Sequence, residues 1–231
     1  MDQRIAATTA GVSLLVMAAA AAFSYGAVHA SLIVPGDAAA TFERLVSADA
    51  LFRAGLFGWF VILLCDIVAA WALYWYLRPV HAGSALLAAW MRLAYAAVLG
   101  VAICCLAAVS LLTGSPAPGN PASLPTETAA ALAALGLATF ELVWSIGLIV
   151  FAAHLAVLGW TTLRTSRIPK FVGLLLLFAA AGYAVVHLGS AFLPQYGATV
   201  SLLEKAFSLP MIAGELALAG WLLFRGGEAV S

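Results

Sequence analysis

Six stretches of this sequence are apolar for long enough to cross a bilayer, and no other feature restricts the fold so tightly. A spanning helix takes roughly 20 mostly apolar residues to cover about 30 Å of hydrocarbon. The stretches run over about 5–34, 55–77, 85–112, 129–163, 171–193 and 207–224. Inside hydrocarbon a backbone satisfies its own N–H and C=O groups only as a helix or a closed barrel. Stretches of this length are helices. The expected fold is all-α: a polytopic membrane protein, one transmembrane domain over 1–231, built as a six-transmembrane-helix bundle. Charge content leads to the same place. Only 9% of residues are charged and 65% are hydrophobic, whereas a soluble domain carries roughly 25% charged residues. The lipid bilayer is thus the partner that the composition requires. The formal net charge is +0, which gives no basis for a nucleic-acid partner.

Breakers stand where the breaks are needed. Pro35-Gly36 ends the first stretch, and Arg78-Pro79 ends the second, since proline disfavours a helical residue before it. Residues 113–125 hold four prolines and two glycines and read as a loop. Ile168-Pro169 opens the fifth stretch, where proline suits a first helical turn, and Pro194 closes it. Over 38–52, Phe42, Leu45, Val46 and Phe52 recur at helical spacing among Glu43, Arg44, Ser47 and Asp49. This segment is expected to form a short amphipathic helix on the membrane surface, after the first span. Arg4, the apolar run behind it and Val28-His29-Ala30 also have the order of a secretory leader with its cleavage site. The run is long for such a leader, so it is read as a retained span.

Short cytoplasmic loops are enriched in Lys and Arg. With the amino terminus inside, the inner segments hold Arg4, Arg78, Arg164, Arg167, Lys170 and Arg225, against Arg44, Arg53 and Lys205 outside. Both termini are therefore expected in the cytoplasm, as an even number of spans requires. Trp71, Tyr74, Trp75 and Tyr76 crowd the inner end of the second span, in the manner of an interfacial belt.

Ionisable residues within spans are costly, at least ~2.5 kcal/mol at the bilayer centre, and they usually face one another and mark a functional route. They are Asp66, Arg92, Glu141, His154, His187 and Glu215, with His29 near an outer end. At about 1.5 Å per residue, Asp66, Arg92 and Glu215 fall at one depth, roughly 15–18 Å from the inner face. Arg92 is expected to pair with Asp66, Glu215 or both, because a guanidinium offers five donors in a fork. Glu141, His187 and His29 fall in the outer third, where they would hold a proton or a metal ion. Tyr183 precedes His187 by four residues and shares its face. His154 follows Glu141 by thirteen residues, which at about 100° each turns it to nearly the opposite face. It is expected to stand apart, nearer the cytoplasm. Cys65, Cys104 and Cys105 lie in apolar runs without metal-ligand spacing and read as small core hydrophobes. No HExxH, nucleophile elbow or glycine-rich phosphate loop occurs, which weighs against an enzyme.

The order of these features resembles a known family. Arg53 opens a span, Asp66 lies within it and Leu77-Arg78-Pro79-Val80 closes it. Arg92, Glu141, His154 with Gly159, Ile168-Pro169-Lys170 with Gly173, Tyr183, Pro210, Glu215 and Trp221 follow. The set resembles the bacterial membrane family catalogued as domain-of-unknown-function family 4386, over about 52–225. The resemblance implies a six-helix bundle in the bacterial cytoplasmic (inner) membrane and supplies no activity. The loop 115–125 has no counterpart in that pattern.

Three function classes stand. One is a protein that binds or translocates a small ligand or protons through an intramembrane site on Asp66, Arg92, Glu141 and Glu215, with His187, Tyr183 and His154 as further candidates. The second is a structural or sensory subunit, alone or in an oligomer, whose charges clamp the helices. The third is a membrane enzyme or redox protein that holds a metal ion at His29, Glu141 and His187, or a haem between two of His29, His154 and His187.

Overall fold

The computed structural model describes residues 2–114 and 121–226. Those residues contain helices and no strand. We label the helices α1 (Gln3–Leu32), α2 (Ala38–Ser47), α3 (Asp49–Leu77), α4 (Ala82–Leu112), α5 (Thr126–Leu163), α6 (Lys170–Phe192) and α7 (Gly197–Phe224). All but α2 are long and apolar enough to cross a membrane. The chain is an all-α integral membrane protein, with six such helices among the described residues. Of the proline-rich loop, residues 115–120 lie outside the described residues, and Pro121–Ser123 form a single 3₁₀ turn.

Helix ends depart from the hydropathy limits where polar residues extend a helix beyond its apolar stretch. Helix α3 begins at Asp49 rather than near 55, because the first turn finds partners for its polar groups. Asp49 accepts from Arg53 Nε and from Thr113 Oγ1, both at 2.7 Å, and Arg53 Nη2 donates to the Ser110 carbonyl at 3.1 Å. A carboxylate at this end also opposes the positive pole of the helix. Helix α7 begins ten residues earlier than expected and carries Glu204, Lys205 and Ser208 on its first turns. The shortest span is therefore α6, at 23 residues, not the last one.

The short amphipathic helix forms over 38–47 and stops short of Phe52, which belongs to α3. Ala48, at φ −119° and ψ 35°, leaves the helical region and separates the two. Asp37 caps α2 by accepting from the Ala40 amide at 2.9 Å. Phe42 and Leu45 are buried, whereas Val46, which its spacing had placed with them, is exposed. Replacing Asp37 by alanine is expected to weaken α2 by about 1 kcal/mol, the usual value of such a cap. Hydrogen exchange would read this as several-fold faster exchange of the Ala40 amide, with α5 unaffected.

The chain forms two compact units. One comprises the chain up to Ala18, Leu64–Val98 and everything from Ser145. Its helices approach one another through small residues. A Cβ built on Gly159 of α5 would lie 2.9 Å from the Gly173 carbonyl oxygen of α6, so the two backbones cross with no room for a side chain. Such close approach is how apolar helices gain contact in lipid, where no hydrophobic force draws them together. The other unit comprises Ala19–Leu63 and Leu99–Trp144. In it α1 widens into a π-helical stretch, Ala22–His29.

Candidate functional site

Arg92 of α4 is completely buried, and so is Asp66 of α3. An apolar interior can hold an arginine only if its donors are used. Each of its three nitrogens finds a partner within one unit of the chain. Nε donates to Asp66 Oδ1 at 2.9 Å, and Nη1 donates to Glu215 Oε1 of α7 at 3.0 Å. Nη1 also faces His154 Nε2 of α5 at 3.1 Å, and Nη2 donates to the sulfur of Met17 in α1 at 3.4 Å. The guanidinium lies 5.3 Å from the centroid of the Phe151 ring, a cation–π contact. Four helices, α1, α3, α5 and α7, thus contribute side chains to one cation carried by a fifth.

His154, expected to stand apart, joins this centre. The spacing of His154 from Glu141 fixes their faces only relative to α5, and the face that carries His154 is the one turned toward Arg92. Its tautomer follows from the partners. Nδ1 lies 2.8 Å from the Ala88 carbonyl oxygen, which can only accept, so Nδ1 carries the hydrogen. Nε2 faces a guanidinium N–H, which can only donate, so Nε2 is the acceptor. His154 is therefore held as neutral imidazole. Ala88 and Arg92 are one turn apart on α4, so that turn orients both the ring and the guanidinium. Phe151 and His154 are three apart on α5 and present one face.

The charges do not balance. Asp66 and Glu215 bring two carboxylates, Arg92 brings one cation, and neutral His154 adds nothing, which leaves −1 when both carboxylates are ionised. Nor are the oxygens all used. Asp66 Oδ2 is buried without a hydrogen-bond partner among the described residues. Exposure differs too: the Asp66 side chain is 0% exposed and that of Glu215 is 15% exposed.

Tyr183 and His187 lie beside this centre on α6. Tyr183 meets the Phe151 ring edge-on at 5.3 Å, Tyr95 of α4 meets it at a tilt at 4.9 Å, and His187 stacks on Tyr183 at 5.8 Å. The His187 Nδ1 stands 3.2 Å from Ser145 Oγ. In the other unit, His29 Nε2 and Glu141 Oε1 face each other at 3.0 Å without the alignment of a hydrogen bond. Tyr25 stacks on His29, and Trp59, Phe140 and Trp144 pack around the pair. Among the described residues no three His, Cys, Asp or Glu side chains gather closely enough to hold a metal ion. Both ring nitrogens of His154 are engaged, so it has none to offer a haem iron. Met17, Phe151 and the Ala88 carbonyl complete the centre without any signal in the sequence, being apolar or backbone groups.

A family model described as "Domain of unknown function (DUF4386)" matches residues 9–226. A protein of Archaeoglobus fulgidus, described as uncharacterised, is 27% identical over 169 residues, covering 73% of this chain and 82% of its own. No solved structure matches. Of the residues that carried the family resemblance, Asp66, Arg92, His154 and Glu215 meet in the buried centre, and Gly159 and Gly173 make the backbone crossing described above.

Proposed function

The chain belongs to the DUF4386 family, and from that premise we propose that it binds or translocates a small ligand or protons through the buried Arg92 centre. It does so as one transmembrane domain in a bacterial cytoplasmic membrane, with both termini in the cytoplasm. The observation that supports this reading is Asp66 Oδ2, a fully buried carboxylate oxygen with no hydrogen-bond partner among the described residues. A cluster serving only to hold helices gains most when every buried polar atom is satisfied, since each unsatisfied one costs about 1–3 kcal/mol. An unsatisfied acceptor beside a surplus of negative charge suits a site with an exchangeable occupant.

A structural or sensory clamp is the second reading. It is favoured by the guanidinium itself, whose nitrogens all have protein partners. Asp66→Asn separates the two. The amide keeps an acceptor for Arg92 Nε and changes little in shape. If the centre is a binding site, the variant inserts and unfolds within about 1 kcal/mol of the parent but loses occupant binding or uptake. If it is a clamp, breaking the buried pair lowers stability by about 3–5 kcal/mol, and no binding or uptake distinguishes parent from variant.

A further inference from the structure

We propose that the occupant of the Arg92 centre is one proton, seated on Oδ2 of Asp66 and exchanged with the outside through Glu215. The inference rests on the reading of that centre as a binding site and names what it binds.

Charge excludes the first alternative. The centre has a surplus of −1, and an anionic ligand would enlarge it in a medium where uncompensated charge is expensive. Ligand count weighs against the second. A hard cation such as calcium takes six to eight oxygen ligands, and no metal-holding group of three His, Cys, Asp or Glu exists among the described residues. A proton neutralises the surplus and requires a single oxygen.

The contacts then select the oxygen. Asp66 Oδ1 accepts from Arg92 Nε, and Glu215 Oε1 accepts from Nη1. His154 is not the carrier, since Ala88 fixes its one hydrogen on Nδ1 and Arg92 occupies Nε2. Asp66 Oδ2 is the buried oxygen of the centre that lacks a partner among the described residues. The other groups facing the centre are the Met17 thioether on α1, the Phe151 ring on α5, and the Tyr95 and Tyr183 phenols that flank that ring from α4 and α6. Cys65 precedes Asp66 on α3. None of these adds a full charge, so the count of −1 stands.

Exposure assigns the port. Asp66 is enclosed by protein on every side, while the Glu215 side chain is 15% exposed at the protein surface. The step is a proton transfer. The O–H bond of a protonated Glu215 breaks, an O–H bond forms on Asp66 Oδ2, and solvent supplies the next proton to Glu215. Both carboxylates lie on one guanidinium, so protonation of Asp66 leaves Arg92 and Glu215 as a one-to-one pair. Glu215 sits five residues after Pro210, which has no N–H for the Ala206 carbonyl and so weakens α7 just before the port.

The test uses the full chain in lipid nanodiscs, observed by infrared difference spectroscopy between alkaline and acidic buffer, with proton uptake titrated in parallel. One proton per chain is expected, with a protonated-carboxyl C=O band that shifts on ¹³C-aspartate labelling and not on ¹³C-glutamate labelling. Asp66→Asn abolishes band and uptake. Glu215→Gln removes the charge surplus and abolishes uptake as well. A band that shifts with the glutamate label overturns Asp66 as the seat. Absence of any carboxyl band, with sodium ions raising thermal stability in the parent but not in Asp66→Asn, overturns the proton and leaves the binding site standing. Absence of band and uptake with no response to sodium or phosphate overturns both. Labelling the unaltered chain decides the matter even if a variant fails to fold.

Discussion

Replacing Arg92 by methionine is expected to lower stability by about 3–5 kcal/mol, the cost of stripping the counter-charge from a buried ionic group. Methionine fills similar volume, so the loss is not chiefly one of packing. It arises because Asp66 Oδ1, Glu215 Oε1 and His154 Nε2 all lose their donor at once, and the site that remains is sealed from water at Asp66. Two further variants identify the cause. In Arg92→Met/Asp66→Leu/Glu215→Leu the buried charges are gone, and most of the loss is expected to be recovered, as when buried ion clusters are replaced by well-packed apolar groups. In Arg92→Lys the charge survives but the fork does not. One ammonium cannot reproduce donors aimed at an aspartate, a glutamate, an imidazole and a thioether together, so an intermediate loss of about 1–2 kcal/mol is expected, one or two net hydrogen bonds. Denaturant or thermal unfolding in detergent measures all three. An Arg92→Met variant as stable as the parent would show that the centre contributes nothing to holding α3, α4 and α7 together.

The parts of this centre differ in how far they could be read from the residues alone, and the difference is physical. Charge in hydrocarbon carries an obligation: a lone arginine must meet a counter-charge, and two carboxylates at its depth leave little choice. Asp66, Arg92 and Glu215 were legible on that ground. His154 carries no such obligation while neutral, and counting turns from Glu141 orients it only relative to its own helix. Which helix lies opposite is a matter of packing that a periodic apolar pattern does not encode, because every face of a spanning helix is apolar whether it meets lipid or protein. Met17 and Phe151 were hidden for the same reason. The six spans were legible because length and apolarity are the bilayer's own requirements. Their ends were less so. Asp49 and Glu204 look like loop residues by hydropathy, yet a helix continues through polar residues wherever its first turn finds partners, as Asp49 does in Arg53 and Thr113. The family resemblance drew on residues of both kinds, including Gly159 and Gly173, whose role is visible only once α5 and α6 are seen to cross.

That crossing supports the second large effect. A glycine within a helix normally costs roughly 0.5–1 kcal/mol relative to alanine, so Gly→Ala in open space stabilises. Among the described residues nothing outside its own helix turn lies within 4 Å of a Cβ placed on Gly220 of α7, and Gly220→Ala is expected to gain about that much. Gly159→Ala should go the other way. Its Cβ would meet the Gly173 carbonyl oxygen at 2.9 Å and Leu176 Cβ at 3.1 Å. The first of these is backbone, which cannot rotate aside. A Cβ on Gly173 fares no better, at 2.8 Å from the Leu163 side chain and 3.1 Å from the Gly159 carbonyl oxygen. Gly159→Leu therefore has to push α5 and α6 apart, and overpacking of this kind costs about 1–3 kcal/mol. We expect the upper part of that range, since in lipid the separated helices lose contact that no hydrophobic force restores. The displacement reaches the arginine. Gly159 lies five residues from His154 on one rigid helix, and His154 Nε2 sits 3.1 Å from Arg92, so a shift of α5 by a few tenths of an ångström lengthens that contact. Unfolding measurements on Gly159→Ala, Gly159→Leu and Gly220→Ala should give a loss, a larger loss and a gain. Equal small effects at Gly159 and Gly220 would mean that the backbones do not touch at this crossing.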